Sequence, residues 1–252
     1  MSETIKNYVS SLQTKITGMS NANLQVLDHA ADVCSKSLLS RRIIHIYDTG
    51  HIISHEMIMR TGGLVAYTHL SFEGMVDNNN LWRSENPENG QNGEESYLSE
   101  KTLIHWLFTQ KKLCSGDVLI LGSVSGLGTR LIELAMQARE HGLTVIAITG
   151  VEFSKQLASK HPSGKRLFEV ADIVLDNQTD YGDAFFSIPN LDRKICPSSG
   201  IAATVLMWSL TVGIVEKMVQ TGVQPSIYKS VNLPDGPALV EQIEKEYKQK
   251  GI

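Results

Sequence analysis

The sequence predicts an α/β fold: a five-stranded parallel sheet between two layers of helices, a three-layer sandwich of flavodoxin-like arrangement. Three observations carry this. The runs "RIIHIYD", "DVLILG" and "LTVIAITG" are apolar almost throughout, as strands covered on both faces must be. Segments with helical spacing of apolar residues separate them. Each run also ends in a turn of glycine and small polar residues, where a strand hands over to a helix.

The elements follow in order. Two helices are expected first, over residues 3–17 and 22–39, the second with Leu24, Leu27, Ala31 and Cys34 three and four residues apart. "RIIHIYDTG" reads as a strand and its turn, and "ISHEMIMRTGG" as a helix closed by its glycines. "LVAYTHL" is the second strand. Residues 74–98 are polar and rich in Asn, Gly and Glu, a long loop of the kind that carries function. A helix over 99–112 leads to the strand "DVLILG", a glycine-rich turn and a helix to Glu140. "LTVIAITG" and "ADIVLDN" complete the sheet. A very apolar helix, "IAATVLMWSLTVGIV", follows Pro197, and an amphipathic helix closes the chain from Asp235.

The 252 residues suffice for one large domain with a substantial core. A net charge of −4 supplies no basic footprint for nucleic acid and no polybasic membrane signal. Three dispersed cysteines without a CxxC pair suit reduced thiols in the cytoplasm. The N-terminus has no apolar core of a secretion signal. The run from Ile201 to Val215 is shorter than the roughly 20 residues of a membrane span. Such a helix is expected in the core or against another subunit. Eight histidines show no compact ligand spacing, so no metal and no organic cofactor are assigned. His45 and His69 fall within strands and are read as satisfied core or edge residues.

In a parallel sheet, ligands bind beyond the carboxyl ends of the strands. The turn "GSVSGLGTR" stands at such an end. Ser123 and Ser125 bring hydroxyls, Gly126, Leu127 and Gly128 bring backbone amides, and Thr129 begins the next helix. Together these suit one anion at a helix N-terminus. No P-loop lysine is present, and the glycine spacing is not that of a dinucleotide site. An ordinary strand–helix turn with a serine cap would share these features. "CPSSG" places Ser198 and Ser199 at the start of the apolar helix, a second hydroxyl-bearing helix head for the same anion or its sugar.

These segments resemble the SIS (sugar isomerase) domain family of phosphosugar-binding proteins. "GSVSGLGTRLIELAMQAREHGLTVIAITG" looks like the family's Ser-x-Ser-Gly phosphate loop with its helix and strand, and "CPSSGIAATVLM" like its third ligand segment. "GHIISHEMIMRTGGL", "HPSGKRLFEVADIVLDN" and "YGDA" resemble a branch with an N-terminal helical extension. The resemblance implies a single SIS domain over 1–252, with an extension over about 1–40 and a helical tail over about 226–252. It also implies a homodimer with active sites near the subunit interface. Two places depart from the pattern. Gly128 stands where the family often has Thr. The first loop reads Asp48-Thr49-Gly50-His51-Ile52, with a carboxylate in place of a glycine and Ile52 in place of a hydroxyl.

The implied ligand is a sugar phosphate or related anionic sugar, contacted also by Thr49 and Gly50. His161 and Lys165 are marked by the resemblance as further contacts, while Asp183, which follows the fifth strand, is read as a group that binds sugar hydroxyls or shapes a turn. Aldose–ketose isomerisation is the expected activity. It needs a base and a ring-opening acid; Glu73 and Glu56 are the candidate bases and His51 the acid. A non-catalytic sugar-phosphate sensor, or a lyase or etherase using the same glutamates, remains alongside it.

Overall fold

The computed structural model describes residues 2–50, 52–72 and 93–252. Its sheet contains β1 (Ile44–Asp48), β2 (Tyr67–His69), β3 (Val118–Gly122), β4 (Thr144–Thr149) and β5 (Ile173–Asp176). All neighbours pair in parallel, in the order β2-β1-β3-β4-β5.

Strand alternation builds two cores from one sheet. Ile44 and Ile46, Val118 and Ile120, Ile146 and Ile148, and Ile173 and Leu175 face one layer. Leu119, Leu121, Val145 and Ala147 face the other. The first layer holds α1 (Glu3–Leu39), α2 (Ile52–Met57) and α7 (Ser199–Gln220). The second holds α3 (Gly93–Thr109), α4 (Thr129–Glu140) and α6 (Leu167–Val170). The composition of α7 would pass for a membrane span. Its Ala202, Leu206, Leu210, Ile214 and Met218 are instead buried in the first core.

Where two N-terminal helices are expected, there is one. α1 runs unbroken for 37 residues, about 55 Å at 1.5 Å per residue, through Gly18. A helical glycine costs only about 1 kcal/mol relative to alanine, and the contacts just beyond it outweigh that. Met19 is fully buried. Asn23 is buried and locks α1 to the end of β5: its Nδ2 donates to Asp176 O at 2.9 Å, and Asp176 N donates to its Oδ1 at 3.0 Å.

Three further differences come from local geometry. α2 ends sooner than its glycines suggest, because the chain already turns left-handed at Met59 (φ 55°). α3 starts at Gly93, so residues 93–98, read as the end of a loop, are helical. Finally, α5 (Val151–Lys155), α6 and the antiparallel hairpin of β6 (Ala184–Phe186) and β7 (Ile195–Pro197) are too short to show a period in sequence. α8 (Gly236–Lys250) closes the chain as expected.

Candidate functional site

The sheet order reverses between β1 and β3, and a cavity of about 700 Å³ lies at their carboxyl ends. That is where a parallel α/β sheet opens a crevice, because its helices leave in opposite directions there. Asp48 and Gly122, the last residues of β1 and β3, form its floor with Ile148 of β4. Thr49, Gly50, Ser123, Ser125, Asn177 and Asp183 line it from the loops, and Ser199 and Gly200 from the head of α7.

The serine loop is shaped by backbone bonds that use its carbonyls. Val124 O accepts from Gly150 N, Gly126 O from Leu167 N, and Leu127 O from Lys160 N. Gly126 has φ +62°, and a Cβ there would come within 3.1 Å of Thr149 Oγ1 and 3.0 Å of Leu167 Cβ. Only glycine fits. Of the loop, Ser123, Val124 and Ser125 reach the cavity wall, while Gly126 donates its amide to Ser123 Oγ at 3.3 Å. Thr129 Oγ1 donates to Lys160 O. α4 begins with Gly128 as its N-cap, without a side-chain acceptor. A Cβ at Gly128 would meet nothing within 4 Å. The first amides of an α-helix have no intrahelical acceptor, so among the described residues this head is open and partially positive. Arg130 does not supply the missing lysine, since its guanidinium is held bidentate by Glu100 at 2.6 and 2.7 Å. That hydrogen-bonded pairing raises its pKa further.

The other helix heads around the cavity are filled by the chain's own carboxylates. Asp48 accepts from Gly50 N (2.6 Å), Ile53 N (2.9 Å) and Ser54 N (3.4 Å) at the start of α2. Asp176 accepts from Val151 N at the start of α5. Asp183 accepts from Ser198 N (3.2 Å), Ser199 N (3.0 Å) and Ser199 Oγ (2.6 Å) at the start of α7. Asp183 and Gly182 both have positive φ (67° and 80°), which turns the carboxylate back onto the helix. The sequence pattern marks Asp183 only as a ligand contact or turn former; three-dimensionally it is a helix cap on the cavity wall.

Not every predicted site residue gathers here. Ser198 is fully buried, and its Oγ has no hydrogen-bond partner among the described residues. Glu56 lies off the cavity, paired with Arg60 one turn along at 3.3 Å. Lys165 is exposed in the loop before α6. His51 and Glu73 lie outside the described residues. His45 is buried, with Nε2 at 3.2 Å from Asp117 Oδ2, as its strand position suggests.

His161 is not on the cavity. It is buried behind the serine loop, where Ser163 N donates to its Nδ1 (3.1 Å). Nδ1 is therefore an acceptor, and the proton sits on Nε2, 3.0 Å from Glu133 Oε2. Tyr97 OH and Gln137 Nε2 also donate to Glu133, at 3.1 and 2.7 Å. Burial pushes the Glu133 carboxyl up, but the bonds from Gln137, His161 and Tyr97 more than offset this and hold it below its usual range. Sequence reading missed Glu133. The available signal was a carboxylate inside "LIELAMQ", four residues before Gln137 on a helix with no solvent face there. Among the cysteines, Cys34 is buried in the core, and that burial pushes its thiol up to about 12, so it is no nucleophile. Among the described residues, no group of three or more His, Cys, Asp or Glu gathers as a metal site.

Comparison with known proteins decides the family: residues 7–150 match the SIS domain model. The chain belongs to the SIS domain family. A UPF0309 protein of Shouchella clausii is 29% identical to this SIS protein over 248 residues, spanning 98% of this chain and 97% of the relative. One from Oceanobacillus iheyensis is 28% identical over 255 residues, with 98% and 97% covered. Among solved structures, the phosphoheptose isomerase of Neisseria gonorrhoeae superposes with a TM-score of 0.53 at 16% identity. That match covers 84% of this chain and 97% of the isomerase. At that identity, the likeness speaks for the SIS fold.

Proposed function

We propose that this SIS-domain protein binds a sugar phosphate or related anionic sugar and interconverts its aldose and ketose forms. One observation carries the binding reading. Ser123 and Ser125 face a cavity at the sheet's switch point, and α4, with no side-chain cap among the described residues, begins four residues after Ser125. Hydroxyl donors and free helix amides are what an anion needs when no lysine or arginine is at hand. In the isomerase reading, Glu73, four residues beyond β2, is the base that moves a proton between adjacent carbons. His51 assists ring opening. Backbone amides and hydroxyls would hold the developing enediolate oxygen.

A second reading, a non-catalytic sensor, is favoured by a separate observation: the described cavity lining has no Glu and no His. A panel of hexose, hexosamine and heptose phosphates separates the two. Ligand at one hundred times its Kd adds about 2.7 kcal/mol of stability, visible as a thermal shift. A sugar that shifts the melting temperature and is turned over, with Glu73→Gln losing a factor on the order of 10² to 10⁴, supports the isomerase. Tight binding without turnover supports the sensor.

We further place the protein in the cytoplasm as a homodimer. Support for the dimer is apolar side chains left in solvent on two adjacent helices, Ile5 (61% exposed) and Val9 on α1, and Val212 (68%) and Val219 on α7; support for the cytoplasm is three dispersed cysteines without a CxxC pair. Sedimentation as a monomer at micromolar concentration would overturn the dimer.

A further inference from the structure

Away from the cavity, the turn between α5 and α6 carries a serine, a histidine and a carboxylate in a chain of hydrogen bonds. Ser163 is exposed there, whereas His161 and Glu133 behind it are only 5% and 4% exposed. Ser163 Oγ stands 2.8 Å from His161 Nδ1, and His161 Nε2 stands 3.0 Å from Glu133 Oε2. None of the three lines the cavity. Because Nδ1 accepts from Ser163 N, it carries no proton, so the hydroxyl is the donor in this pair and the ring its base. The Lys165 amide donates to Ser163 Oγ at 3.2 Å, which favours negative charge developing on that oxygen. Burial raises the Glu133 carboxyl, but its bonds from Gln137, His161 and Tyr97 hold it below its usual range. An imidazolium formed at His161 therefore faces a fixed anion. Closing the turn does not require this arrangement, since Gly164 N already donates to His161 O at 2.9 Å. An exposed hydroxyl on a base that a buried carboxylate orients is how an activated serine is built, whatever the chain order.

We propose that Ser163, His161 and Glu133 form a second reactive site, a serine nucleophile that cleaves small esters by acyl transfer. The proposal stands independently of the phosphosugar reading. Ser163 Oγ attacks the ester carbonyl, and its proton passes to His161 Nδ1. The C–O bond to the alcohol then breaks, and the alcohol leaves with that proton, so the acyl group remains on Ser163. Water attacks the acyl-serine and gives a proton to Nδ1. The carboxylic acid departs as that proton returns to Ser163 Oγ. The Ser163 amide loses its acceptor whenever Nδ1 is protonated, and is then free to donate to the oxyanion of the tetrahedral intermediate. Glu133 does not touch the ester; it orients the ring and stabilises the imidazolium. The exposure of Ser163 suits small, reactive esters rather than a substrate held in a shaped pocket.

The test uses two readouts on the full chain. One is release of p-nitrophenol from p-nitrophenyl acetate. The other is labelling by a fluorophosphonate, located by peptide mass spectrometry. Labelling forms a P–O bond at Ser163 and breaks the P–F bond, with the serine proton taken up by His161 and fluoride released. The folded parent should carry the label on Ser163 and cleave the ester. Ser163→Ala, which changes only an exposed side chain, should lose ester cleavage by on the order of tenfold or more. Parent unfolded in urea keeps the serine but not its base, and should lose the labelling. Absence of label from Ser163 overturns the proposal, and so does equal labelling of the folded and unfolded parent. Ester cleavage unchanged in Ser163→Ala overturns it as well. Phosphosugar binding is read in a separate assay at a separate site, so none of these outcomes decides it.

Discussion

Two helices follow segments that line the same cavity, and their N-termini are treated in opposite ways. α4 starts from Gly128 with no side-chain acceptor among the described residues. α7 starts from Ser198 with Asp183 bonded to two of its amides and to the Ser199 hydroxyl. Both heads carry the same partial positive charge from their peptide dipoles. In α7, the chain's own carboxylate has consumed that potential for folding. In α4, the potential remains available, and the helix is held from behind instead, through Glu133 on its second turn. The contrast teaches that a hydroxyl-bearing helix head does not by itself make an anion site. What decides is whether a carboxylate elsewhere in the chain reaches it first.

Breaking the support behind α4 should have the largest effect. Glu133→Ala leaves Tyr97, His161 and Gln137 without their shared acceptor in a buried setting, which costs about 3 kcal/mol of stability as donors left unsatisfied. Chemical denaturation reads the loss. Because the folded-state carboxyl lies below its ordinary value of 4.5, its contribution is present above that pH and fades as acid protonates it. Parent stability should therefore fall on acidification below about that value, and Glu133→Ala should lack this part of the loss.

Emptying the head of α7 comes next. Asp183→Ala leaves Ser198 N and Ser199 N without their carboxylate and should cost about 2 kcal/mol, the scale of a lost helix cap with unsatisfied amides. Equal denaturation midpoints for variant and parent would mean that Asp183 is not the cap described here.

Ser125→Ala acts on the open head instead. It should weaken phosphosugar binding by about tenfold, or 1.4 kcal/mol, with the melting temperature of the free protein nearly unchanged. A large loss of stability in this variant would erase the distinction between a head kept for a ligand and one used for folding.

Glu56→Gln should do least. Its partner Arg60 is a surface neighbour one turn away, a pair worth less than about 1 kcal/mol, and its position off the cavity leaves ligand affinity unchanged. A tenfold loss of affinity in Glu56→Gln would place this glutamate back in the site.

Much of this was legible in the residues. Apolar strand runs ending in small-residue turns fix a parallel sheet, because strands covered on both faces admit no polar alternation. Ser123, Ser125 and Ser199 follow strand ends or begin a helix, so topology alone directs them to one edge. The division of labour among polar groups was not legible. Asp183 and Ser199 are sixteen residues apart, and Glu133 and His161 twenty-eight, with no period linking them. Nor does the sequence separate Gly18, which a buried neighbour carries through a helix, from Gly126, whose φ of +62° breaks the chain into a loop.

Taken by itself, the sequence determined the five strands of the parallel sheet in their chain order, the edge of the sheet where a ligand can sit, and the hydroxyls available there. These follow from local periodicity and chain direction, which neighbouring residues specify between themselves. Only the tertiary structure decided which helix head stays open, which carboxylates become caps, and that His161 braces the serine loop from behind rather than lining the cavity. Hydrogen bonds between segments far apart in the chain exist only once the sheet has brought their ends together, so the pairing of donors with acceptors is a property of the fold and not of any stretch within it.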